Sequence, residues 1–325
     1  MFIFTIIAGT IIACSSGSWF TCWLGLEINL IRLIPLLVIK LNPLSTETAI
    51  KYFIAQAIAS LLLIFSSLIG ARVGFLRLLG IQKEIIFIAL RLKAGMAPFH
   101  FWFPQIIKIS DWPQCAIVLT WQKIAPFILL SSVTQTKTVF IVIIGSAIVG
   151  RLGGLNQINL KIILTYSSIA HARWMLAICE ASSIFYWAAY FLIYCAISIR
   201  LIFILYTTRI KIVRQIITRK WRTSLKYSFT LRLLSLGGLP PFIGFIAKLG
   251  AIYIIVLKLR IFLAAALVTS SLVSLFYYLR IAYRLLIGER KNNFITVAHS
   301  NSSDKLFLTV SILGNCMAPI LVFLV

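Results

Sequence analysis

The stretch Ile85–Pro104 reads IIFIALRLKAGMAPFHFWFP. An apolar helix able to enter a bilayer runs into Lys93. Gly95 and Pro98 then break the backbone ladder, and apolar residues resume at Phe99–Phe103. A charge beside a broken helix at membrane depth is costly, because hydrocarbon solvates neither an ammonium nor an unpaired amide. Such an arrangement persists only where it faces protein or a wet cavity. The pattern points to an ion or proton path.

Composition sets the context for that stretch. Of 325 residues, 61% are hydrophobic and the mean hydropathy is +1.02, whereas a soluble domain is nearer ~45–50% apolar. The expected fold class is therefore an all-α polytopic membrane protein, a single integral membrane domain over 1–325. A span takes about 20 residues, and the punctuation predicts eleven helices: 2–20, 22–40, 46–69, 84–107, 113–133, 137–151, 158–178, 183–206, 226–256, 260–286 and 305–324. The segment 137–151 is short for a full crossing, and 226–256 is interrupted at Gly237, Gly238, Pro240 and Pro241. MFIFTIIAGTIIACSS has no basic residue before its apolar run, so it reads as a first helix and not a cleaved signal.

Several chemistries are excluded on the same ground. The six cysteines lie in or beside apolar segments without CxxC spacing and read as packing residues. Neither GxGxxG nor GxxxxGK[ST] occurs, so nucleotide binding has no support and any redox chemistry belongs to a partner. The net charge of +24 is scattered through apolar helices with no soluble module to present it, which argues against nucleic acid.

Orientation follows from the segment 207–226, which carries Arg209, Lys211, Arg214, Arg219, Lys220, Arg222 and Lys226 and no acid. Basic loops stay in the positive-inside compartment, and the N-terminus, eight crossings earlier, falls on the same side. Ile210, Val213, Ile217 and Trp221 recur there at helical spacing, which suits either an amphipathic helix on the membrane surface or a solvated basic loop.

Gly95-Met96-Ala97-Pro98-Phe99 and Gly238-Leu239-Pro240-Pro241-Phe242 share G-x-x-P-F, 143 residues apart. The second break falls five helices after the first, an odd step, so the two broken helices cross in opposite directions. That is the pattern of an inverted-topology repeat, with approximate halves 22–151 and 158–286, whose discontinuous helices line a midplane pathway.

Each break has a lysine near it, Lys93 before the first and Lys248 after the second. Lys123, in LTWQKIAPFILL, is near the middle of its expected span, too deep to reach water by extending. An isolated ammonium there costs about 2.5–3.5 kcal/mol on insertion scales, and low polarity disfavours its charged form. Those features favour a functional role over a structural pairing. Of seven acids, six are expected at helix ends or loops, while Glu27, in WLGLEINL, sits inside an apolar segment. A Glu and a Lys facing each other in a dry bundle form a pair whose charge state changes when one of them moves. His100 and His171 also lie in apolar segments and suit either a proton relay or a hydrogen-bonded packing role. His299 reads as a loop residue.

The stretches WLGLEINL, NPLSTETAIKYFIAQAIAS, LKAGMAPFHFWFPQ, TWQKIAPF, GGLNQ, YSSIAHARWM, LSLGGLPPFIGF and FYYLRIAY, in order from residue 23 to 283, together resemble the NADH dehydrogenase subunit 2 family of respiratory complex I. The resemblance implies an antiporter-like fold built on inverted five-helix repeats. It implies a core membrane subunit of NADH:ubiquinone oxidoreductase that takes part in proton translocation across the mitochondrial inner membrane, with a free-standing cation/proton antiporter as the alternative. It also implies that Glu27 pairs with Lys93, that Lys123 carries the central path and that Lys248 lies toward the exit half. NADH, FMN, iron–sulfur clusters and ubiquinone are then handled by partner subunits, other antiporter-like subunits are neighbours, and lipids surround the chain. The 287–325 loop and helix add little to the likeness.

Arg32, Arg91, Arg151, Arg173 and Arg232 depart from the family's small or apolar residues. Four of them lie inside expected spans and Arg151 at the edge of one; the four together carry an insertion cost on the order of 10–14 kcal/mol. The chain also has 4 Met against more than fifty Ile. A gene whose AGA and AGG codons mean serine and whose AUA means methionine, read in another code, would produce both oddities.

Overall fold

The computed structural model describes residues 2–40, 42–72, 76–133, 138–181, 184–218, 221 and 223–287. These form α1 (Phe2–Ser15), α2 (Trp19–Leu37), α3 (Pro43–Arg72), α4 (Leu76–Ala94), α5 (Trp102–Ile109), α6 (Trp112–Leu119), α7 (Ile124–Ser131), α8 (Val139–Leu155), α9 (Leu160–Glu180), α10 (Ile184–Thr208), α11 (Val213–Thr218), α12 (Thr223–Gly237), α13 (Ile243–Leu257) and α14 (Ile261–Ile287). Local signals set several starts. Ser18 Oγ accepts the Thr21 amide at the head of α2, Asn159 Oδ1 accepts the Lys161 amide at the head of α9, and Pro43 opens α3, where its missing N–H costs nothing.

Six described stretches are long and apolar enough to cross a bilayer: Trp19–Leu37, Pro43–Ile69, Trp112–Ser131, Leu160–Glu180, Ile184–Thr208 and Ile261–Leu286. α1, α8 and α13 are shorter apolar helices, and two stretches come in pieces, α4 with α5 and α12 with α13. The expected helix 305–324 lies outside the described residues.

Two differences from the sequence expectation matter. The 113–133 span is not one continuous helix. A 3-10 turn, Trp121–Lys123, separates α6 from α7, so Lys123 stands where the regular ladder is interrupted. The first broken helix begins earlier than 84, which puts Glu84 inside α4 instead of at its end; its carboxylate accepts a 2.6 Å hydrogen bond from the Thr138 hydroxyl. The described part of 207–226 packs against the rest of the chain. Ile210, Val213 and Ile216 are buried, Trp221 Nε1 donates to the Ile216 carbonyl, and Ile212 pairs with Asn159 at the foot of α9.

α9 is the pivot, packed by α5, α6, α7, α8, α10, α13 and α14. It is buried over 89% of its apolar window, against 33% for α3. Polarity is arranged inside out relative to a soluble domain. Phe4, Ile141, Phe185 and Phe262 are exposed, while Lys93, Lys123, Lys161 and Lys248 are buried. An apolar exterior suits lipid, and buried ammonium groups are the informative exception.

Candidate functional site

At both breaks the chain leaves its helix in the same way. Gly95 has φ 68° and Gly238 φ 76°, the left-handed conformation that glycine adopts without steric penalty. The Met96 amide donates to the Arg91 carbonyl and the Gly95 amide to that of Leu92. At the second break the Leu239 amide donates to the Leu234 carbonyl and the Gly238 amide to that of Ser235. Each is a Schellman ending with glycine just past the last helical residue. The Ala97–Pro98 and Pro240–Pro241 peptides are both cis.

A helix ended inside the membrane leaves its last carbonyls, the negative end of its dipole, without backbone partners. A side chain answers this at both places. At the first, Trp102 Nε1 donates to the Leu92 carbonyl at 3.2 Å, with Lys93 in the last turn of α4. Lys248, reaching back from α13, donates from Nζ to the Gly237 carbonyl at the end of α12, at 2.6 Å. Space for it exists because Gly238 has no side chain: a Cβ there would stand 2.7 Å from Lys248 Cδ.

Lys123 is 2% exposed. Its Nζ donates to the Ser168 carbonyl of α9 at 3.1 Å and lies 5.4 Å from the Phe103 ring centre and 5.6 Å from that of Tyr194, within cation–π range. Lys93 and Lys123 line one cavity of about 20 Å³ together with Asn29, Tyr52, Gln56 and Gln122. Asn29 Oδ1 and Gln122 Nε2 are buried without a hydrogen-bond partner. A polar cavity of roughly 10–15 Å³ already admits a water molecule, so the two ammonium groups share a space that suits hydration.

Glu27 is within electrostatic reach of Lys93 and Tyr52 but makes no contact ion pair with Lys93, and its buried Oε2 has no hydrogen-bond partner. His171 is buried on α9, its Nδ1 2.9 Å from the Tyr190 hydroxyl. His100 bonds locally instead, Nδ1 to the Pro98 carbonyl at 3.1 Å, with its ring on Phe101. The structure thus gathers Glu27, Lys93 and Lys123 in one neighbourhood, sets Lys248 at the second break, leaves His171 between, and keeps His100 in the turn of the first break. His299 lies outside the described residues.

Sequence reading overlooked Asn29, Gln56, Gln122, Tyr190, Tyr194 and Lys161. Uncharged residues in apolar helices carry little signal singly, though Tyr190 and Tyr194 are four apart and so share a face. Lys161 stands near the start of its expected span, where a lysine carries little signal. It is 3% exposed, hydrogen-bonded to the Ser110 carbonyl and 5.4 Å from the Trp112 ring. Of the out-of-pattern arginines, Arg91, Arg173 and Arg232 are buried while Arg32 is exposed. Nε of each buried one is without a partner, as is Nη1 of Arg232.

Residues 16–274 match the family model described as NADH:quinone oxidoreductase/Mrp antiporter, transmembrane. The NADH-ubiquinone oxidoreductase chain 2 of Locusta migratoria is 36% identical over 97% of this chain and 92% of its own length. That of Lemur catta is 37% identical over 86% and 83%. Among solved structures, a chain of respiratory complex I from Thermus thermophilus superposes with a TM-score of 0.85 at 24% identity, over 99% of this chain and 78% of the other. A chain of the Mrp complex from Dietzia gives 0.76 at 18% identity, over 86% and 59%. At those identities the structures speak for the fold.

Proposed function

The chain belongs to the NADH-ubiquinone oxidoreductase chain 2 family of antiporter-like membrane proteins, and on that premise we propose how it works. It is a core membrane subunit of NADH:ubiquinone oxidoreductase in the mitochondrial inner membrane and takes part in moving protons across it. Its partners are the other membrane subunits, antiporter-like ones among them. NADH, flavin, iron–sulfur clusters and ubiquinone are handled by other subunits of the complex, and the work of this chain is proton and charge movement. The N-terminus and the basic 207–226 segment face the matrix, in keeping with the positive-inside rule.

Glu27 sits where a shift of α2 against α4 changes its distance from Lys93. That distance sets how firmly Lys93 holds its proton, because the carboxylate favours the charged amine and desolvation opposes it. Lys93 exchanges with Lys123 through their shared cavity, and Lys248 serves the second half, toward release. The inverted halves 22–151 and 158–286 give the path one broken helix on each side. The observation that carries this reading is the pair Lys93 and Lys123 on one polar cavity behind a broken helix.

Lys123→Ala tests it. In the assembled complex, proton translocation per NADH oxidised is expected to fall severalfold, while NADH oxidation by an artificial acceptor, which bypasses the membrane, keeps its rate. Unchanged translocation would reduce the chain to a spacer. A free-standing antiporter is the weaker reading, because the likeness to the Mrp complex is one of fold at 18% identity, whereas the chain 2 relatives match nearly end to end.

A further inference from the structure

Glu27 is within electrostatic reach of Lys93 and makes no contact ion pair with it, so the carboxylate needs a second partner for the time it stands off. Its own helix offers one. Trp23 stands one turn earlier on α2. Residues four apart share a helix face, with Cβ atoms about 5–6 Å apart, and helical side chains lean toward the N-terminus. The Glu27 carboxylate therefore leans over the turn that carries the Trp23 indole. Nε1 of Trp23 is buried with no acceptor, and Oε2 of Glu27 is buried with no donor. An indole nitrogen only donates and an ionised carboxylate only accepts, so each atom is what the other lacks. Left apart in an apolar interior, both are costly.

The indole is held in place. Its ring centre is 5.6 Å from that of Phe20, and the side chain packs against the hydrophobic core. The other groups within reach of Glu27 are Lys93 and Tyr52, and both line the cavity that Lys93 shares with Lys123. We propose that Trp23 is a positioning residue for Glu27: its indole N–H is the resting partner of the carboxylate, which moves between Trp23 on its own helix and Lys93 on α4. The proposal rests on the proton-path reading above. With the carboxylate on Trp23, the Lys93 ammonium loses the anion that favours its charge and is free to pass its proton to Lys123. With the carboxylate on Lys93, the ammonium is held. The indole keeps its own proton in both positions, and no covalent bond changes at Trp23.

Trp23→Phe removes the N–H and keeps an apolar ring. In the assembled complex, protons translocated per NADH are expected to fall severalfold, while NADH oxidation by an artificial acceptor keeps its rate. A carboxylate band of the redox-driven infrared difference spectrum, identified by its disappearance in Glu27→Gln, is expected to shift in Trp23→Phe, because the ion has lost an N–H···O bond. Adding Trp23→Phe to Glu27→Gln should lower the proton ratio no further, since the two residues act as a unit. A packing role alone would change complex abundance and leave the ratio and the band of the assembled fraction at their original values; that outcome overturns the proposal. So does a further loss in the double variant. Where Trp23→Phe does not assemble, Trp23→Met, flexible enough to fill the space without a donor, is read by the same two measurements. Loss in Lys123→Ala with normal pumping in Trp23→Phe removes the role of the tryptophan alone, whereas normal pumping in Lys123→Ala removes the path itself.

Discussion

Lys40, in the turn after α2, has its ammonium 2.8 Å from an Asp111 carboxylate oxygen. The hydrogen bond and the charge of Asp111 hold the Lys40 pKa above its usual 10.5. The sign follows: a raised folded pKa means the pair helps the folded state in full below the unfolded value and loses that help as pH rises through the folded one. Both groups are well exposed, so the help is small and salt-sensitive. Asp111→Asn is expected to speed acylation of the Lys40 amine severalfold near pH 10, read by peptide mass spectrometry. The same instrument answers a second question. Buried guanidinium nitrogens without partners at Arg91, Arg173 and Arg232 are costly in a membrane interior, and a serine hydroxyl there would return to its own helix backbone. Masses of the native chain are expected to read serine at these three positions; arginine masses would remove the idea.

At the scale of elements, the broken helices depend on close approach. A Cβ on Gly244 would stand 1.8 Å from the Ser235 carbonyl oxygen, against the wall of α12, and no rotamer change relieves a clash with backbone. Gly244→Ala is therefore expected to push α13 off α12 and destabilise the bundle by about 1–3 kcal/mol, the usual range for overpacking. Gly145→Ala in α8 meets nothing within 4 Å and serves as the control, with assembly unchanged. Thermal stability of the detergent-solubilised complex separates the two. The breaks themselves were legible beforehand, because glycine and proline act through local backbone geometry. The 3-10 turn at Trp121–Lys123 was not foreseen, although its signal was present: Pro126 has no N–H to give the Gln122 carbonyl, so the ladder opens there, and Lys123 reaches a carbonyl of α9.

For the whole molecule, the exposed apolar residues and buried charges describe a body stable only in lipid or among similar neighbours. Purified in mild detergent, the chain is expected to travel with many partners; recovery as a stable small oligomer would favour a free-standing antiporter. The sequence by itself determined the membrane class, the two interruptions with their opposed directions, and the buried lysines, because hydropathy, backbone breakers and the cost of burying charge are properties of residues and their spacing. Only the tertiary structure decided which of those groups meet. Lys93 and Lys123 share a cavity, Lys248 caps a helix end across a glycine, Glu27 stands near Lys93 without touching it, and His171 binds a tyrosine nineteen residues along the chain. The reason is physical. A lone ammonium advertises its burial through a cost paid in any apolar helix, whereas the partner that offsets the cost is chosen by helix packing, and uncharged partners such as Asn29, Gln122 and Tyr190 leave little mark on hydropathy.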